Sequence, residues 1–87
     1  MEATSRRLPA GEGWTYLGGD GSAKEPIDLV VRAFETSVLV AVGGNDRAPD
    51  GEPVLVPSGQ GRRLCGQHFF ARPAVASAPA VVTLRGL

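Results

Sequence analysis

Glycine and proline punctuate this chain so densely that little uninterrupted length is left for a helix. Twelve Gly and seven Pro are spread through most of the 87 residues. No Gly- and Pro-free window of eleven residues carries a clean 3.6-residue apolar period. The longest such window, "IDLVVRAFETSVLVAV", is rich in Val and breaks at "ETS". Branched side chains are stiff at χ1 and suit a pleated strand better than a helical turn. Short apolar runs bounded by Gly, Pro and Asp are the pattern of an all-β sandwich or barrel.

Six strands follow from that pattern: Trp14 to Leu17, Ile27 to Phe34, Val38 to Val42, Pro53 to Val56, Leu64 to Ala71 with a break near Gly66, and Ala80 to Arg85. Glu35-Thr36-Ser37 forms the turn between the second and third. Alternate residues of a strand share a face. Ile27, Leu29, Val31 and Ala33 therefore line one side, with Asp28 and Arg32 on the other. "VLVAV" is apolar on both sides, as a central or interface strand would be. Val82 and Leu84 alternate with Val81, Thr83 and Arg85. The expected fold is a small antiparallel β-sandwich or jelly-roll-like barrel over residues 27–87. Residues 1–26, polar and Gly-rich apart from Trp14, Tyr16 and Leu17, are expected to form an extended N-terminal arm with a short strand near 14–17.

Eighty-seven residues make one domain. A chain of that size buries only about 60 to 65 per cent of the surface its unfolded form exposes, and small domains usually compensate with disulfides, a metal or partner chains. Cys65 is the single cysteine and His68 the single histidine, which excludes an internal disulfide and argues against a Cys/His zinc site. Partner chains remain, so a homo-oligomer is expected. Nine basic residues balance nine acidic ones, without the basic excess of most nucleic-acid binders. No apolar run approaches the ~20 residues that span a bilayer, and "MEATSRRLPAGEG" lacks the apolar core of a signal peptide. The expectation is a protein kept in a cytoplasm or assembled there into something larger, with neither nucleic acid nor membrane as partner.

"GGNDRAPDGEP", residues 43–53, gathers the groups closest to chemistry. Asn45, Asp46, Asp50 and Glu52 could supply oxygens to calcium, but the spacing departs from the EF-hand pattern and Pro49 stiffens the middle. A phosphate loop would open a helix, whereas this one leads into the strand "PVLV". A hairpin connection whose Asn and Asp bond their own backbone is the simpler reading. "LGGDGSAKEPIDLV" has the same form as "VGGNDRAPDGEPVLV", which also makes the loop look architectural. Cys65 and His68, three apart, fall on opposite strand faces unless a bulge at Gly66 resets the register, so a thiol–imidazole pair is not expected. No catalytic, metal or cofactor residue is assigned. Trp14 and Tyr16 share a face and could stack on a sugar, although packing is the commoner use of aromatics. Phe69 and Phe70 point to opposite faces, one to the core and the other to a second surface. The residues expected to touch a partner are Arg6, Arg7, Leu8, Trp14 and Tyr16 in the arm, with Phe69 or Phe70 on the sandwich.

Over residues 27–87 the order of pieces "VLVAVGG", loop, "EPVLVPSGQG", "RRLCGQHFFAR" and "APAVVTLRGL" resembles the small β-sandwich head-decoration and accessory proteins of tailed-phage virions. The resemblance implies a non-enzymatic structural role in the virion, in many copies, on the major capsid protein or other virion proteins. It implies assembly in the cytoplasm of the bacterial host, no cofactor, and anchoring by an ordered terminus. It transfers no individual binding residue. A tail or head-to-tail connector component is the alternative within that class. A small carbohydrate-binding module using Trp14 and Tyr16 is the alternative outside it.

Overall fold

A computed structural model describes residues 4–19 and 27–86. Every element among them is a strand: β1 Thr4–Leu8, β2 Thr15–Gly19, β3 Ile27–Phe34, β4 Val38–Gly43, β5 Val54–Val56, β6 Gly61–Gly66, β7 His68–Pro73 and β8 Ala80–Gly86. Two four-stranded sheets result, one (sheet A) in the order β1-β8-β3-β6 and the other (sheet B) in the order β2-β7-β4-β5. All pairings are antiparallel.

The alternation in β3 sorts its side chains as the sequence predicts. Val31 and Ala33 are fully buried while Arg32 is exposed, and Ile27 and Leu29 pack against the core. Val82 and Leu84 of β8 join them across the ladder, where Val31 lies opposite Leu84 and Ala33 opposite Val82. Sheet B answers with Leu17, Val38, Val40, Val56, Phe69 and Ala71. The core is mostly branched aliphatic, as expected where stiff side chains interdigitate between two pleated surfaces. β4, apolar on both sides, is an interior strand between β7 and β5.

The expected strand from Leu64 to Ala71 is in fact two strands in different sheets. The break falls at Gln67, between Gly66 at the end of β6 and His68 at the start of β7. Glycine is required where the sheets approach here. A Cβ on Gly66 would come within 2.9 Å of Val42 Cβ, and one on Gly19 would collide with the Gln67 carbonyl oxygen and His68 Cα. Gly19 also has a φ of +155°, and Gly18 a φ of +123° beside the register shift of β2. The expected turn at Glu35-Thr36-Ser37 holds: Glu35, at φ 69°, reverses the chain from β3 into β4, and Ser37 Oγ accepts a 3.1 Å hydrogen bond from Ser58 N.

Of the stretch expected as an arm, Thr4–Leu8 pairs along β8 and Thr15–Gly19 along β7. The sheets therefore run across the 26/27 boundary. Residues 1–3 and 20–26, with the loop that echoes 43–53, lie outside the described residues. Thr4–Leu8 escapes a sequence reading because "TSRRL" has one apolar residue. That residue, Leu8, is fully buried opposite Ala80.

Candidate interaction surfaces

Each sheet has an outer face, and the two differ in chemistry. Residues directly opposite each other in a ladder share a face, so register alone assigns the outer face of sheet A. Arg85 lies opposite Val30, and Val30 opposite Arg63; Thr83 lies opposite Arg32; Val81 lies opposite both Phe34 and Arg7. The four arginines are exposed, and Phe34 is 41% exposed. Among the described residues the exposed Glu35 stands at the margin of this face beside Arg7 and Val81. The face itself carries the acid Asp28, whose Oδ2 accepts a 2.9 Å hydrogen bond from Arg63 Nη2. That bond, aided by the arginine's charge and opposed by partial desolvation, holds the Asp28 carboxyl below its ordinary pKa. Cys65, opposite Asp28, is exposed and free, and desolvation followed by the Asp28 charge pushes its thiol up. It stays protonated and is a poor nucleophile at neutral pH.

The outer face of sheet B is filled from within the chain. His68, Phe70 and Arg72 alternate along β7 with Phe69 and Ala71, which point inward. The Tyr16 ring lies 5.3 Å from the Phe70 ring, and Tyr16 Oη and His68 Nδ1 share a hydrogen bond of 2.8 Å. The Arg72 guanidinium stands 5.0 Å over the Trp14 ring, a cation–π contact, while its Nε is enclosed without a hydrogen-bond partner. Farther along this face Leu39 lies opposite Leu55, which is 49% exposed.

The 44–53 connection closes one end of this face. Asn45 Oδ1 accepts from Arg47 N at 2.8 Å and Ala48 N at 3.2 Å, and Asp50 Oδ2 accepts from Gly44 N at 3.4 Å. The loop is thus folded by its own Asn and Asp side chains, as read from the sequence. It also turns back over the sheet: a Cβ on Gly43 would meet Ala48 O at 2.9 Å, Phe70 Cε2 at 3.2 Å and Pro49 Cα at 3.2 Å. Asp50 and Gly51 donate backbone hydrogen bonds to Val42 O. The acids Asp46, Asp50 and Glu52 are exposed there.

The expected contact residues separate accordingly. Arg6 and Arg7 are exposed on β1. Leu8 and Phe69 belong to the core and offer no surface. Phe70 does point away from the core, but it is 1% exposed under Tyr16 and the loop. Trp14 and Tyr16 do share a face and are half-buried, each engaged by a β7 side chain. Arg32, Arg63 and Arg85 are the surface residues that sequence reasoning passed over. The period-2 pattern does place Arg32 and Arg85 on the polar sides of their expected strands, whereas Arg63 precedes the expected Leu64 to Ala71 strand and belongs to β6.

All four sheet edges are blunted. β1 and β6 carry Arg6-Arg7 and Arg62-Arg63. β5 has three residues between Pro53 and Pro57, and β2 ends in a register shift and two glycines. Charge, proline, brevity and bulges are the means by which edges avoid pairing with other chains. Contact through faces is left as the open route. Cys65 and His68 lie on different sheets, and among the described residues no group of three or more His, Cys, Asp or Glu side chains could hold a metal ion. An apolar notch of about 390 Å³ between the sheets is lined by Leu17, Ile27, Leu29, Phe69 and Leu84, with Asp28 the one ionisable group among the described lining residues. No helix among the described residues is long and apolar enough to cross a membrane.

No family model matches the chain, and no curated protein or solved structure matches it.

Proposed function

We propose that this chain is a structural protein of a tailed-phage virion, a decoration protein that stabilises the shell by docking a sheet face on the major capsid protein. The single observation that carries the reading is the nesting of the strand pairs. β4 pairs with β5, β3 with β6, β2 with β7 and β1 with β8. That order is the jelly roll, an architecture used by viral capsid domains as well as lectins and cupins. Fold alone does not choose among these uses. Support for the virion comes from the resemblance of residues 27–87 and from how the polar side chains are employed. His68 holds Tyr16, Arg72 covers Trp14, and Asn45 and Asp50 fold their own loop. A sugar-binding platform needs open aromatic faces, and Trp14 and Tyr16 are already engaged, which leaves shell stabilisation the better-supported reading.

Stabilising a shell needs contacts multiplied by symmetry and no reacting group. The test is quantitative mass spectrometry of particles purified from cells that produce the protein from its own locus. Dozens to hundreds of copies per particle are expected of a decoration protein. A dozen or fewer would move the assignment to a tail or connector position, and absence from particles would overturn it.

A further inference from the structure

Formal neutrality conceals a separation of charge. Among the described residues four exposed arginines on the outer face of sheet A, Arg7, Arg32, Arg63 and Arg85, stand against two acids, Asp28, already bound to Arg63, and Glu35 at the margin beside Arg7. On the side of sheet B the 44–53 loop carries three acids against one arginine, Arg47, and the one arginine of the sheet's own outer face, Arg72, is half-buried over Trp14. That loop lies over the outer face, as the approach of Ala48 and Pro49 to Gly43 and Phe70 requires. One side of the molecule is basic, the other acidic, and they face in opposite directions.

The apolar groups complement each other in the same sense. Between the arginines of sheet A stand Val30, Val81 and the exposed ring of Phe34. Beside the acids of sheet B stand Leu39 and the exposed Leu55. The molecule measures 37 × 25 × 17 Å. With stacked sheets about 10 Å apart, the two longer dimensions belong to the faces. Each face then offers at most on the order of 900 Å², comparable with the roughly 800 Å² per partner of a standard specific interface.

We propose that the protein stacks on itself head to tail, the arginine-bearing face of sheet A in one copy receiving the outer face of sheet B and the acidic 44–53 loop of the next. The contact is heterologous: each copy presents one unlike face on either side, so stacking continues until a ring closes or a column forms. Blunted sheet edges direct association away from strand addition and toward the faces. A polyanion is the less fitting occupant of the basic face. The arginines are interleaved with valines, and Phe34 is the one aromatic among them, whereas a single-strand platform presents successive aromatics for stacking. The acids on the opposite side also cancel the long-range field that would draw a nucleic acid in. This inference stands apart from the virion assignment, since a stacking protein could serve outside a particle.

The experiment is sedimentation velocity on the full chain, up to about 1 mM protein, at about 50 and about 500 mM salt. Two charge-reversed proteins, Arg32→Glu with Arg85→Glu and Asp46→Lys with Glu52→Lys, accompany the wild type. All four positions are exposed, and circular dichroism verifies that each variant is folded. The wild type is expected to exceed its monomer mass of 9.0 kDa at low salt, and high salt should weaken association by roughly tenfold or more. Each reversed protein alone should sediment as a monomer, because its two faces now carry the same sign. Mixed in equal amounts, the two should associate again, since each supplies the sign the other lacks. A monomeric wild type throughout overturns the proposal. So does association that survives both reversals, or a mixture that stays monomeric. A wild type that remains monomeric but binds a short single-stranded oligonucleotide through Arg32 and Arg85 would assign the face to a polyanion instead.

Discussion

Phe34 and Phe70 both point away from the space between the sheets, yet only Phe34 remains in water. Phe34 sits on sheet A among arginines and valines and is 41% exposed. Phe70 sits on sheet B, 1% exposed, beneath the Tyr16 ring and beside the folded-back loop. The same residue type on the same side of a pleat reaches opposite ends of the burial scale because one sheet acquired a second layer from its own connections. The outer face of sheet B is in part a small satellite core, whose rings are committed to holding the fold while Leu55 and the loop acids stay exposed. The outer face of sheet A holds little of its own structure and is free for something else.

The most direct way to break this comparison is to truncate both rings. Phe70→Ala should cost about 3 to 5 kcal/mol, as for a buried aromatic, whereas Phe34→Ala should stay within about 0.5 to 1 kcal/mol. Urea denaturation of both variants measures the difference, and equal costs would erase the distinction between the faces. Gly19→Ala comes next, at about 2 to 3 kcal/mol, because a side chain there meets the Gln67–His68 backbone at a φ that L residues rarely adopt. Tyr16→Phe should cost about 1 kcal/mol through loss of the hydrogen bond to His68. If it costs nothing, the satellite core is held by ring packing alone.

The smallest effect belongs to sheet A. Arg63→Ala should lower the denaturation midpoint only slightly, as for an exposed ion pair, while the Asp28 carboxyl titrates at higher pH, observable by NMR. The sign follows from linkage: a carboxyl with a depressed folded pKa contributes stability above its unfolded pKa of about 3.9, lost as pH falls through the folded value. The wild-type contribution therefore disappears only in acid, and near neutral pH neither protein should respond.

Much of this division was legible in the period-2 pattern. It placed Val31 and Ala33 inside and Arg32 outside, and it made "VLVAV" an interior strand. It could not place Leu8, because a single apolar residue in "TSRRL" carries no period. The fate of "LCGQHFF" was hidden for another reason. Two strands in different sheets, joined at one residue, look in sequence like one strand with a flaw, and only the packing of Gly66 on Val42 tells them apart. Burial of Phe70 depends on where a loop 20 residues away folds back, which no local pattern encodes. The separation of charge was likewise invisible to a net count of zero and emerged only once register assigned each arginine to a face.

The nesting of the strand pairs also sets the order in which the chain can close. β4 and β5 form the innermost hairpin, and once they meet, β3 and β6 are already close together. β7 then docks beside β4 and brings β2, and β8 docks beside β3 and brings β1. Each later pair inherits ends that the earlier one has gathered, so the entropy of closing a loop across most of the chain never falls due in one step. Kinetic analysis of core truncations should therefore find Val56 and Val40 engaged early in the transition state, and Leu8 engaged last.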